Sequence, residues 1–333
     1  MKKGILVSGH WIVDISKRID HWPAPGTLAL IESVTPTNGG SPFNIALDLR
    51  RLDPALPISA IGVVGDDSQG DYVRDICAAN QVECAGIRKA KGIPTSFTDV
   101  MTERETGRRT FFHAHGATLA LTEEDFPVEN YDAEFFTLAY LGMMPTLDAV
   151  GSDGRNATSR IFERASRHGM KTVADLVSSN NAQLAEQILP CLPHLDILFI
   201  NEIEASRLLG KSLPEKMQLD FAAELAREVH ALGVRGKVVL HYKEAAVSCD
   251  GASTVTLPCI DVPREEIVGA TGAGDAFAAG YLLGEMHGKD TQGCLEMASC
   301  VAGISLRAIT CSDAILPWSD CLDYGRKCGY MSL

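Results

Sequence analysis

The sequence predicts an α/β fold layered around a largely parallel sheet, with a smaller β element set apart from it. Three observations carry this. Short apolar runs alternate with amphipathic segments in β-α-β-α order over most of the 333 residues. Two stretches break that rhythm with closely spaced extended pieces and turn residues. Hydrophobic residues make up 46% and charged residues 22%, enough apolar surface to offset the entropy of ordering the chain.

In chain order, Ile5–Ser8 reads as the first strand. The basic start and apolar run superficially suggest a signal peptide, but the run is too short, and His10, Trp11 and Asp14 interrupt it. Ile12–Val34 is the first β excursion, with Pro23, Pro25 and Gly26 between short extended pieces. Asn44–Leu52 and Ser68–Ala79 read as helices around the strand Ile58–Val63. Thr95–Phe112 is the second excursion: a hairpin of Ser96–Thr102, a polar turn at Glu103–Gly107, and Arg109–Phe112. The two excursions could pair into one accessory sheet or stand as unrelated surface hairpins. The strands Phe135–Leu141, Thr172–Ala174, Ile197–Ile200 and Lys237–His241 then alternate with helices at Ser159–His168 and Phe221–Leu232. In the last helix Phe221, Leu225, Val229 and Leu232 form one apolar face.

Composition excludes several function classes. With 43 Asp and Glu against 30 Lys and Arg the formal charge is −13, which argues against a general nucleic-acid binder but allows a local site for a small anion. No run of about 18 apolar residues occurs, so no membrane-spanning helix is expected. The ten cysteines form no C-x-x-C pair and read as buried reduced thiols of a cytoplasmic protein rather than a disulfide framework or zinc site.

The sharpest chemical signal is Gly269-Ala270-Thr271-Gly272-Ala273-Gly274-Asp275 leading into Ala276-Phe277-Ala278-Ala279-Gly280. A glycine-rich turn that opens a helix presents unpaired N–H groups and the positive end of the helix dipole, a setting that favours an anion. A carboxylate there repels an anion unless it serves as a base for a hydroxyl attacking a phosphorus. The alternative is that Asp275 only complements the helix dipole. The glycines match neither the Walker A spacing nor the dinucleotide-binding order.

Here the sequence resembles the ribokinase/PfkB sugar and nucleoside kinases. Thr271-Gly272-Ala273-Gly274-Asp275-Ala276-Phe277 is similar to their C-terminal signature, and Gly39-Gly40-Ser41-Pro42-Phe43-Asn44-Ile45-Ala46 to their N-terminal one. Ile61–Gly70 resembles the family's G-x-x-G-x-D-x-x-G stretch, and Asn201-Glu202-Ile203-Glu204 its N-x-x-E motif. The four lie in the family's order and span most of the chain.

The resemblance implies one ribokinase-like domain over residues 1–333, a Rossmann-type αβα body with a small β-sheet lid formed by about 12–36 and 95–115. It implies ATP and Mg²⁺ with a small carbohydrate as acceptor, and the pattern of Arg108 and Arg109 makes that carbohydrate a neutral one. Asp275 would be the base, and the amides of Gly272, Ala273 and Gly274 an anion hole. Asp14, Gly39, Gly40 and Asn44 would bind the acceptor, with Arg109 and His113 (or His115) reaching it from the lid. Asn201, Lys243, Thr271, Gly272 and Gly274 would contact the nucleotide, and Asn201 with Glu204 would hold Mg²⁺ through water. On residue type alone, Asn201 and Glu204 read instead as the cap and first-turn acid of the next helix, Asn44 as a cap, Asp14 as a loop carboxylate, Lys243 as solvated, and both histidines as packed or solvent-facing. Adjacent Arg108 and Arg109 on a strand face opposite sides, so only one can point inward, which disfavours an anionic acceptor.

Three departures stand out. Gly269-Ala270 replaces a common Asp-Thr, so potassium activation is not carried over. His241-Tyr242-Lys243 replaces Thr-x-Gly, and Thr310-Cys311 replaces a usual Gly-Ala. A nucleoside kinase and a non-catalytic sugar-binding regulator are the alternatives. A lid with an exposed edge or face could also support a homodimer.

Overall fold

The strand Ile5–Gly9 (β1) is buried along its whole length, so its alternate side chains must meet separate cores. Ile5 and Val7 join an apolar cluster with Phe43, Leu49 and Phe277, whereas Leu6 joins another with Phe136, Leu138 and Phe162. The same division separates Phe199 and Val239 from Leu198, Ile200, Val238 and Leu240. Two cores on opposite faces of one sheet make the expected αβα sandwich.

The computed structural model describes residues 3–333. The further strands are Ile12–Ile19 (β2), Ile31–Gly39 (β3), Ile58–Gly65 (β4), Glu83–Ala90 (β5), Phe97–Glu103 (β6), Arg109–Ala114 (β7), Phe135–Leu141 (β8), Lys171–Leu176 (β9), Ile197–Asn201 (β10), Lys237–His241 (β11), Ala245–Cys249 (β12) and Thr254–Pro258 (β13). Nine form one sheet in the order β13-β12-β11-β10-β9-β8-β1-β4-β5. From β11 to β5 all neighbours are parallel, and β12 and β13 close one side as an antiparallel pair. The chain runs outward from β1 through β4 to β5, then returns to β8 and proceeds the other way. The carboxyl ends of β1 and β8 therefore flank the topological switch point, where open α/β sheets bind ligands.

Among the described residues the two excursions do pair, in a separate sheet ordered β3-β2-β6-β7. The first is longer than expected, because β3 continues to Gly39. Its central contact is parallel, β2 on β6, with Asp14 opposite Thr98. Both roots are anchored to the body. Trp11 is fully buried and donates from Nε1 to the Ile61 carbonyl at 2.9 Å, fixing the turn that leads into β2. Asp67, the aspartate of the G-x-x-G-x-D-x-x-G stretch, caps the helix Ser68–Ala79 by accepting from the Gly70 N–H at 2.8 Å. It also accepts from the Thr95 N–H and hydroxyl at 2.8 and 2.6 Å, tying the start of the second excursion to the body.

Two helix starts differ from expectation, and the first of them matters for the site. The helix expected from Asn44 begins at Ser41 and runs to Leu52, with Gly40 at its cap and Pro42 in its first turn. Asn44 is thus not the cap, and its side chain is free for other work. The helix Ala157–Arg167 begins before Ser159 because Asn156 caps it by accepting from the Ser159 N–H at 2.8 Å. No helix among the described residues is long and apolar enough to cross a membrane.

Candidate active site

Asp275 lies in the first turn of the helix Ala273–Met286 and is only 4% exposed. Its Oδ2 accepts from Asn44 Nδ2 at 2.7 Å and from the Tyr140 hydroxyl at 3.3 Å, while its Oδ1 is buried without a partner. One oxygen is held and the other is left to act. Asn44 is itself oriented, since Asn38 Nδ2 donates to its Oδ1 at 2.6 Å and to Ser312 Oγ at 3.0 Å. Tyr140 takes a left-handed φ of 63° where the β8–β9 register slips between Ala139 and Leu141. Such a conformation costs about 1–3 kcal/mol in a non-glycine residue, and it goes with a bulge that re-aims the ring.

Asp175, at the end of β9, accepts from Ser41 Oγ at 3.1 Å. Burial raises the pKa of both Asp175 and Asp275 above the usual carboxylate range, and the neighbouring charges of Asp275 and Glu204 raise Asp175 further. Hydrogen bonds from Asn44 and Tyr140 partly offset that effect at Asp275.

Gly272 caps the Asp275 helix with φ 77°, and a Cβ there would stand 2.5 Å from Cys311 Cβ. Only glycine meets both demands. The N–H groups of Gly272 and Gly274 have no hydrogen-bond partner among the described residues. Ala273 departs from the expected three-amide cradle, because its N–H donates to the Ala270 carbonyl at 3.3 Å.

Asn201 and Glu204 form a reciprocal capping box on the helix Glu202–Leu209. Asn201 Oδ1 accepts from the Glu204 N–H and Glu204 Oε2 from the Asn201 N–H, both at 2.9 Å. Glu204 Oε1 accepts from Asn201 Nδ2 at 2.8 Å and Ser178 Oγ at 3.0 Å. Burial raises the Glu204 carboxyl to about 7. The capping geometry read from residue type is therefore present, and it aims the same two side chains at Asp275's cleft.

Three cavities follow one another across this centre. A cleft of about 170 Å³ is lined by Tyr140, Asp175, Asn201, Glu204, Gly272 and Asp275. It shares Tyr140, Ser178 and Gly272 with a cavity of about 540 Å³ whose polar lining includes Asp14, Asn44, Thr98, His113 and Asn180. On the other side it shares Asn201, His241 and Gly274 with a largely apolar cavity of about 670 Å³ containing Ile203, Ile260, Phe277 and Leu306. The result is two ligand-sized chambers joined at an oxygen-rich neck that carries a glycine turn and a buried carboxylate.

Residues 2–319 match the family described as pfkB family carbohydrate kinase. The chain belongs to that family. Among its relatives, a nucleoside kinase of Methanothermobacter thermautotrophicus is 26% identical over 307 residues, covering 90% of this chain and 88% of the relative. A ribokinase of Arabidopsis thaliana is 24% identical over 306 residues, 91% of this chain and 76% of that one. The structure of Arabidopsis thaliana ribokinase complexed with ribose and ATP superposes with a TM-score of 0.80 at 21% identity, over 98% of this chain and 99% of the other. The protein is thus a phosphotransferase with an alcohol acceptor, a sugar or nucleoside kinase of ribokinase fold.

In this pfkB kinase Asp14, Gly40, Asn44 and His113 come together in one chamber as expected. Gly39 stands behind them, where a Cβ would lie 2.3 Å from Asp14 Oδ1. Arg109 does not line that chamber. It turns inward while Arg108 faces solvent, but its guanidinium donates to the Thr271 hydroxyl and occupies the space beside Gly269. Thr271 lines the 540 Å³ chamber with its hydroxyl engaged by Arg109, and it does not line the apolar chamber. Lys243 sits at the rim of the apolar chamber, exposed and without a salt-bridge partner among the described residues.

Sequence reasoning missed Tyr140, Asp175 and His241. Tyr140 sits in a run that reads as core, and Asp175 follows a strand without a motif. The His241 segment stood out only as a departure. Its ring is half-buried, 5.0 Å from the Phe277 ring, and desolvation lowers its pKa to about 4.

The buried carboxyls set a pH dependence for the ligand-free protein. Burial raises Asp14 and Glu204 to about 7 and Asp148 to about 6, and lifts Asp48, Asp175 and Asp275 as well. The folded chain keeps protons that the unfolded chain releases, so stability falls as pH rises through this range. Desolvation lowers the pKa of His10, His113 and His241, which works the other way, but only below about 6.5, where unfolded imidazoles become charged. The expected result is a Tm that declines from pH 6.5 to pH 8; a rising Tm contradicts this assignment.

Proposed function

We propose that the chain is an ATP-dependent kinase for a small neutral carbohydrate, with Asp275 as the base. The observation that carries the choice of acceptor is the lining of the 540 Å³ chamber, which among the described residues contains no lysine or arginine. An acidic or phosphorylated sugar needs paired cations, and none faces this space. Its one carboxylate, Asp14, suits the donation of sugar hydroxyls, and Asn44 both donates and accepts.

The acceptor hydroxyl gives its proton to Asp275 Oδ1 as its oxygen bonds to the γ-phosphorus, and the bond from that phosphorus to the bridging oxygen breaks to release ADP. The free N–H groups of Gly272 and Gly274 stabilise the charge on the transferring group without reorganising. The oxygen donors Asp175, Asn201 and Glu204 around the neck suit Mg²⁺. Both Glu204 oxygens are already hydrogen-bonded within the box, which favours contact through water. Bound there, the ion supplies charge neutralisation to the phosphates. The apolar chamber holds the adenine, and Lys243 at its rim meets the phosphates. The smaller sheet acts as a lid that excludes water from the neck.

Gly39→Ala tests the acceptor side. The added Cβ displaces the Asp14 carboxylate, so the KM for the acceptor should rise about 10-fold or more with the KM for ATP unchanged. An equal rise in both would remove Asp14 from acceptor binding.

Phe111, Met143 and Ile12 also line the acceptor chamber and favour a nucleoside as the second reading. ADP release from Mg·ATP across neutral sugars, acidic sugars, phosphosugars and nucleosides separates the two. Sugar tight-bound with no ATP binding would instead indicate a regulator.

The lid sheet leaves Ile31, Val34 and Phe112 about half exposed or more, which supports a homodimer through that face. Val34→Lys with Phe112→Lys should convert a dimer to a monomer in sedimentation analysis; an unchanged assembly would place the interface elsewhere. All ten cysteines are free, and those at 77, 294 and 300 have pKa values pushed up to about 12 by burial, which suits a reducing cytoplasm.

A further inference from the structure

Three histidines meet where the smaller sheet joins the body. His10 lies in the turn between β1 and β2, His113 is near the end of β7, and His115 follows it. Ring centroids are 4.8 Å apart for His10 and His113, 5.2 Å for His113 and His115, and 5.9 Å for His10 and His115. One ring nitrogen of each lies within 4.8 Å of the other two.

The nitrogens are also unemployed. His10 is fully buried, and neither of its ring nitrogens has a hydrogen-bond partner among the described residues. His113 Nε2 and His115 Nδ1 are buried and unpartnered too. A neutral imidazole carries one donor and one acceptor, and packed structural histidines ordinarily satisfy them. Three rings with unpartnered nitrogens, one nitrogen from each within 4.8 Å of the other two, call for an occupant.

We propose that His10, His113 and His115 form a binding site for a divalent transition-metal ion of the Zn²⁺ and Co²⁺ class, separate from the Mg²⁺ neck. Three imidazoles with no carboxylate among them suit such an ion and not Mg²⁺, which takes oxygen ligands. His113 is already oriented for it. Its Nδ1 hydrogen-bonds Thr98 Oγ1 at 3.0 Å; with the N–H on Nδ1, the Nε2 lone pair is left for the metal. Burial keeps His10 and His113 neutral, as ligation requires. Metal–nitrogen bonds of about 2.0–2.1 Å need the nitrogens closer than their present spread, so the ion draws the rings inward by about an ångström. A fourth position remains for water or another small ligand. The bound ion ties β7, and with it the smaller sheet, to the turn after β1, beside the chamber that His113 lines.

The test uses the untagged chain, stripped with a chelator and titrated with Co²⁺ in excess Mg²⁺. The expected result is one equivalent bound, with visible d–d absorption of a four-coordinate ion, no near-ultraviolet thiolate band, displacement by Zn²⁺, and a higher Tm with Zn²⁺. His115→Gln changes a half-buried residue outside the chemical neck; with an unchanged circular dichroism spectrum it should bind Co²⁺ at least about 10-fold more weakly. His10→Gln should do the same, and if that buried variant fails to fold, His115→Gln decides. Absence of saturable absorption, a thiolate band, or unchanged affinity in His115→Gln would each overturn the site.

Discussion

Asp275→Asn should lower kcat by about 10²- to 10⁴-fold, the range that a positioned general base supplies, with ATP and acceptor affinities changed only a few-fold. The substitution keeps the shape, so an oxygen can still accept from Asn44 Nδ2 while an NH₂ replaces the free Oδ1. That amide cannot take a proton from the acceptor. Stability provides the control. Burial raises the pKa of Asp275, so its ionised form is costly above neutral pH, and removing it should leave Tm at pH 8 unchanged or higher. A variant with normal Tm and binding but lost turnover assigns the base. Undiminished turnover would sink that role.

Gly272→Ala carries the second large effect, through the backbone. A φ of 77° costs a non-glycine residue about 1–2 kcal/mol, and the new Cβ meets Cys311 Cβ at 2.5 Å. The turn must shift, and it carries the unpaired amides of Gly272 and Gly274 and opens the helix bearing Asp275. Displacement near an ångström at such a point can cost about 10²-fold in rate. We expect kcat/KM to fall by at least that factor and Tm to drop by several degrees. Adding Cys311→Gly removes the clash but not the strain, so it should restore part of each loss. Full activity in Gly272→Ala alone would show that the turn's geometry is not needed.

The parts of this kinase that were legible in its sequence are those whose environment is written locally. β1 and β8 read as strands because they are buried on both faces and so are continuously apolar. β5 was missed because it is an edge strand of alternating exposure with Gly86 inside it, and β12 because Ala245-Ala246-Val247 is small and β13 half-exposed. The turn signals located both excursions, yet the parallel register of Asp14 against Thr98 is a pairing across 84 positions that no local pattern encodes. Within the site, Asp275 and Asn44 stood out by motif, and they meet at 2.7 Å. Tyr140 could not be found, since its role depends on a positive φ in a bulge. Arg109 was misplaced for a related reason: strand alternation correctly turned it inward, but its partner Thr271 is 162 residues away. The histidine cluster likewise joins the turn after β1 to the end of a lid strand, and only folding brings them together.

The most direct test of the account follows the γ-phosphoryl group itself. ATP labelled in that group is mixed with the protein, Mg²⁺ and each neutral sugar in turn, and the products are separated. The account predicts label in a sugar phosphate ester at one-to-one stoichiometry with ADP, and label left in ATP with Asp275→Asn although both proteins bind the nucleotide. Label released as free phosphate whatever acceptor is present, or equal transfer by the variant, would contradict it.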